Sequence, residues 1–245
     1  MAVNLLENER LDDLHRHGYQ IIQNTKMFCF GMDAVLLSAF ANVGKEDMVL
    51  DMGAGNGVIP LLIHGRYEPS HITGLEIQEA NVTMARRSMI HNGVENDIEI
   101  LLGDIKEADI LLPLSSFDVI TCNPPYMDSG HGLTNAHSAK SIARHEVKCT
   151  LEDVIRSASR LVAVGGRFYM VHRPHRLVEI IAVLRQYKLE PKRMRMVHPD
   201  SESEANMVLI EAVRHGKPFL KMEKPLIIYK EPGIYTEEVK VLYYD

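Results

Sequence analysis

Val49-Leu50-Asp51-Met52-Gly53-Ala54-Gly55-Asn56-Gly57 carries an apolar run into an acid and then into three glycines at alternate positions. Such a run reads as a short buried strand, and the glycines read as a turn that opens a helix. Glycine lets the backbone take positive φ and come close to a ligand. In an open α/β sheet, ligands sit at the carboxyl ends of the strands, where this turn would lie. The spacing is G-x-G-x-G, with no basic residue in the loop and no following G-K-[ST]. A loop of this kind suits an uncharged adenosyl or amino-acid moiety better than a pyrophosphate. Asp51 ends the strand and is placed to face that moiety.

Working outward, short β-branched runs alternate with amphipathic segments. Strands are expected at 48–51, 72–76, 98–101, 117–122, 167–171, 194–198 and 207–213, and helices at 57–65, 78–92, 151–164 and 174–187. Thr150 and Asp153 have capping-box spacing, and Gly165-Gly166 reads as the stop of that helix. The stretch 28–43 reads as a turn followed by an apolar helix. The order implies an α/β fold with a mostly parallel sheet and helices on both faces. We expect one domain, with 1–44 as a lid segment, 45–213 as the core and 214–245 as an extension. In the extension, Pro232-Gly233 marks a turn of a terminal hairpin or arm. Residues 239–244 read as an edge strand, a packing arm or a partner contact.

Two further acids follow strands. Glu76 closes the second, and a carboxylate there can accept hydrogen bonds from both hydroxyls of a ribose. Asp104 follows the third, where it either faces an adenine amino group or caps a helix. The fourth strand, Phe117-Asp118-Val119-Ile120-Thr121-Cys122, runs into Asn123-Pro124-Pro125-Tyr126. Two prolines cannot continue a ladder, so they fix a turn at the sheet edge. The turn offers an amide oxygen, a rigid carbonyl and an aromatic face. That set fits methylation of an amino nitrogen conjugated to a ring. The Asn123 oxygen and the Pro124 carbonyl would accept its two N–H groups, and these bonds would strengthen as charge grows on nitrogen. Tyr126 would stack on the planar substrate.

The charge is unevenly spread. Residues 1–130 hold 8 basic and 19 acidic residues, whereas 140–195 holds 13 and 5, against an overall net of −6. The basic stretch is either the footprint of a polyphosphate partner or a set of solvated helix faces. The three cysteines show no C-x-x-C pair, and no histidine spacing suggests a metal site, so we expect no metal and a reducing, cytoplasmic setting. The opening residues lack the apolar stretch of a signal peptide, and no run has membrane-spanning length.

With these motifs placed, the chain resembles class I S-adenosylmethionine (SAM)-dependent methyltransferases of the small-domain N-methylase group. Arg10-Leu11-Asp12-Asp13-Leu14, Gly18-Tyr19-Gln20-Ile21-Ile22-Gln23, the stretch from Phe28 to Leu37 and Asn123-Pro124-Pro125-Tyr126 together resemble the tRNA1(Val) adenine-37 N6-methyltransferase family, from about Arg10 onward. The resemblance implies a Rossmann-like, seven-stranded sheet with the last strand antiparallel. It implies SAM contacts at Asp51, Gly53, Gly55, Glu76 and Asp104, and amine contacts at Asn123, Pro124 and Tyr126. It also makes Phe30 and Asp33 contacts from a segment that closes over the cofactor, with Asp33 alternatively a helix cap. Lys140, Arg144, Lys148, Arg173 and Arg176 then become candidates for holding RNA phosphates. Similar tetrapeptides serve DNA adenine, rRNA guanine and release-factor glutamine methylases. A nicotinamide-dependent oxidoreductase and a non-catalytic RNA-binding module are the remaining alternatives.

Overall fold

The computed structural model describes residues 4–27, 29–124 and 149–244. An N-terminal hairpin, β1 (Glu9–Asp13) and β2 (Gln20–Asn24), precedes α1 (Met32–Phe40). Alternation then sets in with β3 (Met48–Met52), α2 (Val58–Tyr67), β4 (His71–Glu76), α3 (Glu79–Asn92) and β5 (Ile98–Leu102). The short α4 (Ala108–Leu111) leads to β6 (Phe117–Cys122). Beyond it come α5 (Leu151–Leu161), β7 (Val162–His172), α6 (Leu177–Gln186), β8 (Leu189–His198) and β9 (Met207–Arg214). The C-terminal stretch adds β10 (Lys221–Met222), β11 (Leu226–Ile227), the hairpin β12 (Tyr229–Glu231) and β13 (Ile234–Tyr235), and α7 (Glu237–Tyr244).

The main sheet has the order β10-β8-β9-β7-β6-β3-β4-β5, with β11 also on β8. Strands β3 to β7 pair in parallel, and β9 is antiparallel to both of its neighbours. The seven strands expected from sequence are all present, with the last one reversed. Among the described residues, nine strands rather than seven make up the sheet, because β10 and β11 add parallel pairs along the outer edge of β8. Strand order reverses between β3 and β6, the switch point at which such sheets leave a crevice.

Successive residues of a strand face opposite sides. Val49, Ile72, Val119 and Tyr169 therefore pack with α1, α2 and α3, while Leu50, Leu75, Ile120 and Phe168 pack with α5 and α6. Burial on both faces explains why these strands read as near-continuous apolar runs. The Thr150–Asp153 capping box forms as expected, with both reciprocal hydrogen bonds made.

Three expectations need correction. The helix read as 151–164 stops at Leu161, because Val162 already pairs with Phe117 in β7 and its carbonyl accepts a hydrogen bond from Arg214 at 2.5 Å. Gly165 and Gly166 are strand residues beside a register shift, and a Cβ on Gly166 would lie 3.0 Å from the Asp118 carbonyl. Residues 239–244 do pack on the core, but as the body of α7 and not as an edge strand. Val239 is fully buried, and Leu242 and Tyr243 lie three and four positions on, so one helical face meets the core. The guanidinium groups of Arg16 and Arg66 donate to the Leu242 carbonyl in its last turn, where cations favour a helix end. Finally, the hairpin β1–β2 has no counterpart in the sequence reading. The hairpin expected around Pro232-Gly233 does form, with Gly233 at φ +76°.

Among the described residues, no helix is long and apolar enough to cross a membrane, and no cluster of side chains could hold a metal ion.

Candidate active site

The carboxyl ends of β5, β4, β3 and β6 lie side by side and carry most of the residues singled out from sequence. The turn after β3 is stitched to β4. The amides of Gly53 and Ala54 donate to the Leu75 carbonyl at 2.8 and 3.0 Å, and the Gly55 amide donates to Glu76 Oε2 at 2.9 Å. All three glycines have positive φ, but for different ends. A Cβ on Gly55 would meet nothing within 4 Å, and one on Gly53 only Ile105 at 3.9 Å. The backbone is bare on that side. Gly57, by contrast, is a packing glycine, since a Cβ there would come within 2.5 Å of Met89 Cε and 3.2 Å of Ala85 Cβ on α3.

Glu76 is 5% exposed. Its Oε1 accepts from the Gln78 amide at 2.8 Å, so each carboxylate oxygen already holds one backbone donor and keeps acceptor capacity for another. Asp104 caps the short 3₁₀ turn 105–107 through the Lys106 amide at 2.9 Å. Asp33 lies in the first turn of α1, where its Oδ1 accepts from the Ala34 amide. Gly31, not Asp33, is the N-cap residue.

Asp51 is wholly buried. Thr121, its partner in β6, donates to Oδ1 at 2.7 Å, and Oδ2 has no hydrogen-bond partner among the described residues. Burial away from water pushes its carboxyl up to about 7; the Thr121 bond works against this shift and the nearby Glu76 charge adds to it. Two residues past Thr121, Asn123 and Pro124 leave the sheet, both half-buried. Tyr126, Lys140, Arg144 and Lys148 lie outside the described residues.

Arg173 and Arg176 follow β7 at the same edge. Arg173 donates to the Asn206 carbonyl at 3.0 Å, and Arg176 grips Glu179 at 2.8 and 3.0 Å. His172 beside them is buried, and its pKa is pushed down to about 4, chiefly by loss of water.

Sequence reasoning gave no role to several residues that hold this site in shape. Gln23 is 3% exposed; its Oε1 accepts from the Phe30 amide at 3.1 Å, and its Nε2 donates to Asp12. Asn56, inside the glycine turn, donates to the Ile22 carbonyl at 3.2 Å. Neighbouring positions of β2 thus tie down both the turn and the segment that enters α1. The signal was a polar side chain at a buried strand position, and Thr121 carries the same signal in β6. Ile77 and Leu102 are also notable, being apolar yet 40% and 51% exposed at the ends of β4 and β5.

The model of the methyltransferase small domain matches residues 19–188, more than two thirds of the chain. The chain belongs to that family. The match of this methyltransferase takes in β2, the glycine turn, Asn123-Pro124 and Arg173, and it ends just before β8. Curated relatives are similar over most of their length. One is a tRNA1(Val) (adenine(37)-N6)-methyltransferase of Vibrio cholerae serotype O1 (strain M66-2), 28% identical over 89% of this chain and 88% of its own. Another of the same description from Pedobacter heparinus is 26% identical over 93% and 94%. Among solved structures, one described as a predicted O-methyltransferase from Agrobacterium tumefaciens has a TM-score of 0.70 at 25% identity, covering 86% of this chain and 95% of its own. A geranyl diphosphate C-methyltransferase from Streptomyces coelicolor A3(2), solved with S-adenosyl-L-homocysteine, shares the fold at a TM-score of 0.56 and 16% identity, over 74% and 79%.

Proposed function

We propose that this methyltransferase uses SAM to methylate the N6 amino group of an adenine in tRNA, at position 37 of a tRNA1(Val)-type substrate. The observation that carries this reading is the placement of Asn123-Pro124 at the carboxyl end of β6, beside the bare glycine turn of β3. Relatives of that description, matched over most of the chain, supply the nucleotide.

The residues present suit an adenosyl ligand. Glu76 has an acceptor free on each oxygen for the two ribose hydroxyls. Exposed Ile77 and Leu102 offer apolar surface to the flat faces of a purine, with Asp104 at its amino edge. The open backbone at Gly53 and Gly55 admits the amino-acid end, near the unpaired Oδ2 of Asp51. Phe30 closes over it from the segment before α1, and Asp33 from the first turn of that helix. When bound, SAM supplies a methyl group made electrophilic by its sulfonium.

The rest of the chemistry belongs to the chain. An adenine N6 is a poor nucleophile because its lone pair is delocalised into the ring. The Asn123 side-chain oxygen and the Pro124 carbonyl accept its two N–H groups and favour a tetrahedral nitrogen with its lone pair aimed at the methyl. Positive charge grows on nitrogen during attack, so both acceptors bind the transition state more tightly than the ground state. Tyr126 stacks on the flipped-out base and holds the line of attack. The amine releases its proton to water afterwards, so no buried base is needed. Lys140, Arg144, Lys148 and Arg173 hold RNA phosphates around the site. Arg176, already neutralised by Glu179, contributes less.

The test is to incubate the protein with methyl-labelled SAM and separate pools of tRNA, rRNA, DNA and protein, then digest and identify the product. N6-methyladenosine from tRNA is expected, and label in protein alone would sink the reading. In the same assay, Glu76→Ala should raise the KM for SAM by about 10–100-fold, since hydrogen bonds to a charged group contribute roughly 1.5–3 kcal/mol. Glu76→Gln, which keeps one acceptor, should fall between. An unchanged KM in both would remove Glu76 from the cofactor site.

A further inference from the structure

On the sheet face that carries α1, one line of paired residues runs from Asp51 through Thr121, Tyr169, Glu211 and Arg193 to Lys221. At ~4.8 Å per strand, its far end lies about 24 Å from Asp51. Helix α1 stops at Phe40 above this end and leaves a cavity of about 570 Å³, lined by Phe40, Tyr67, Lys192, Arg193, Phe219 and Lys221.

Arg193 builds the wall. Its guanidinium stacks 3.9 Å from the Phe40 ring centre and is held by Glu211 at 2.7 Å and Glu223 at 3.3 Å. Lys192 and Lys221 make no ion pair among the described residues; Lys192 donates to the Lys217 carbonyl and sits 5.8 Å from the Phe219 ring centre. Phe219 is 73% exposed, and its φ of +155° is one that side-chain-bearing residues avoid. The segment 217–224 holds three lysines against one acid, Glu223, which shares Arg193 with Glu211. An exposed aromatic ring beside ammonium groups that outnumber the nearby carboxylates is the chemistry that binds a nucleotide unit of single-stranded RNA, by stacking and phosphate contact.

We propose that this cavity is a second contact for the substrate RNA, taking one unpaired base against Phe219 and its flanking phosphates on Lys192 and Lys221. The proposal rests on the RNA reading above. It is tested on the full chain with Phe219→Ala and with the double variant Lys192→Ala/Lys221→Ala, measuring kcat, the KM for unfractionated tRNA, the salt dependence of tRNA binding and the Kd for SAM. Phe219→Ala should raise the tRNA KM by about tenfold, the effect of losing one base stack. The double variant should flatten the slope of log affinity against log salt by about 1.4–1.8, the share of two phosphates. Both should keep the wild-type kcat and SAM affinity, which also shows that they fold. Wild-type KM and salt slope in both variants, while the parent methylates tRNA, would overturn this inference alone. A parent that neither binds nor methylates RNA would bring down the RNA reading and this inference with it. Loss of AMP binding in Phe219→Ala with an unchanged tRNA KM would also overturn it, assigning the cavity to a free nucleotide.

Discussion

Replacing Asn123 by alanine should lower kcat by about 10²–10³-fold, the loss seen when one preorganised transition-state contact is removed. The alanine leaves one of the two amine N–H groups without an acceptor and frees the nitrogen to stay planar. Asn123 stands after β6, whereas the ribose, adenine and amino-acid contacts proposed for SAM come from β3, β4 and β5. The Kd for SAM should therefore stay within about twofold of wild type, because the lost contact is made to the other substrate. Single-turnover methylation with saturating SAM measures the first quantity, and calorimetric titration measures the second. Wild-type turnover in the variant would refute the role given to the turn.

Asn in place of Asp51 should stabilise the fold at alkaline pH while weakening the cofactor site. In the unfolded chain this carboxyl ionises near its ordinary value of 3.8, and in the fold it keeps its proton up to about 7. Across that window the unfolded state releases a proton that the folded state retains, so stability falls as pH rises from 4 to 7 and stays at the lower level above. Three pH units at ~1.36 kcal/mol each make the penalty about 4 kcal/mol at pH 8. Asparagine does not titrate and still presents an oxygen to the Thr121 hydroxyl. Its melting temperature should exceed that of wild type at pH 8, and the two should converge by pH 4. Binding of a cationic ligand beside Asp51 favours its ionised form. SAM affinity of the wild type should thus rise from pH 6 to pH 8, and Asp51→Asn should lose that rise. Parallel melting curves at every pH would show that Asp51 keeps an ordinary carboxyl pKa.

What could be read without coordinates divides by the range of the interactions. Strand β6 is read residue for residue, and α3 to within one residue, because burial on both faces and helical periodicity are written into adjacent positions. The Thr150–Asp153 box is equally local. The carboxyl-edge constellation of Asp51, Gly53, Gly55, Glu76, Asp104 and Asn123 was legible because a parallel sheet brings strand ends together whatever else happens. The hairpin β1–β2 was not, since its partners Ser88 and Asn92 stand far along the chain on α3. The bond between Asp51 and Thr121, 70 residues apart, was hidden for the same reason. Residues 239–244 defeated propensity. Val and Tyr suit a strand, but the Thr236 hydroxyl accepts from the Val239 amide, Glu237 and Glu238 fill the first turn, Val239 is buried in the core and two arginines hold the Leu242 carbonyl, so the segment is helical.

The two short strands on the outer side of β8 bear on how the molecule is made. Strand β8 has ten residues, including Met194, Met196 and Val197, and among the described residues its outer edge is sealed by 221–222 and 226–227. A strand edge left open is a template for pairing with another chain. During synthesis the ribosome completes β8 and β9 before it reaches those residues, at about 5–20 residues per second. For a second or so the sheet stands with that flank uncovered, and the segment that follows β9 acts as its selvage.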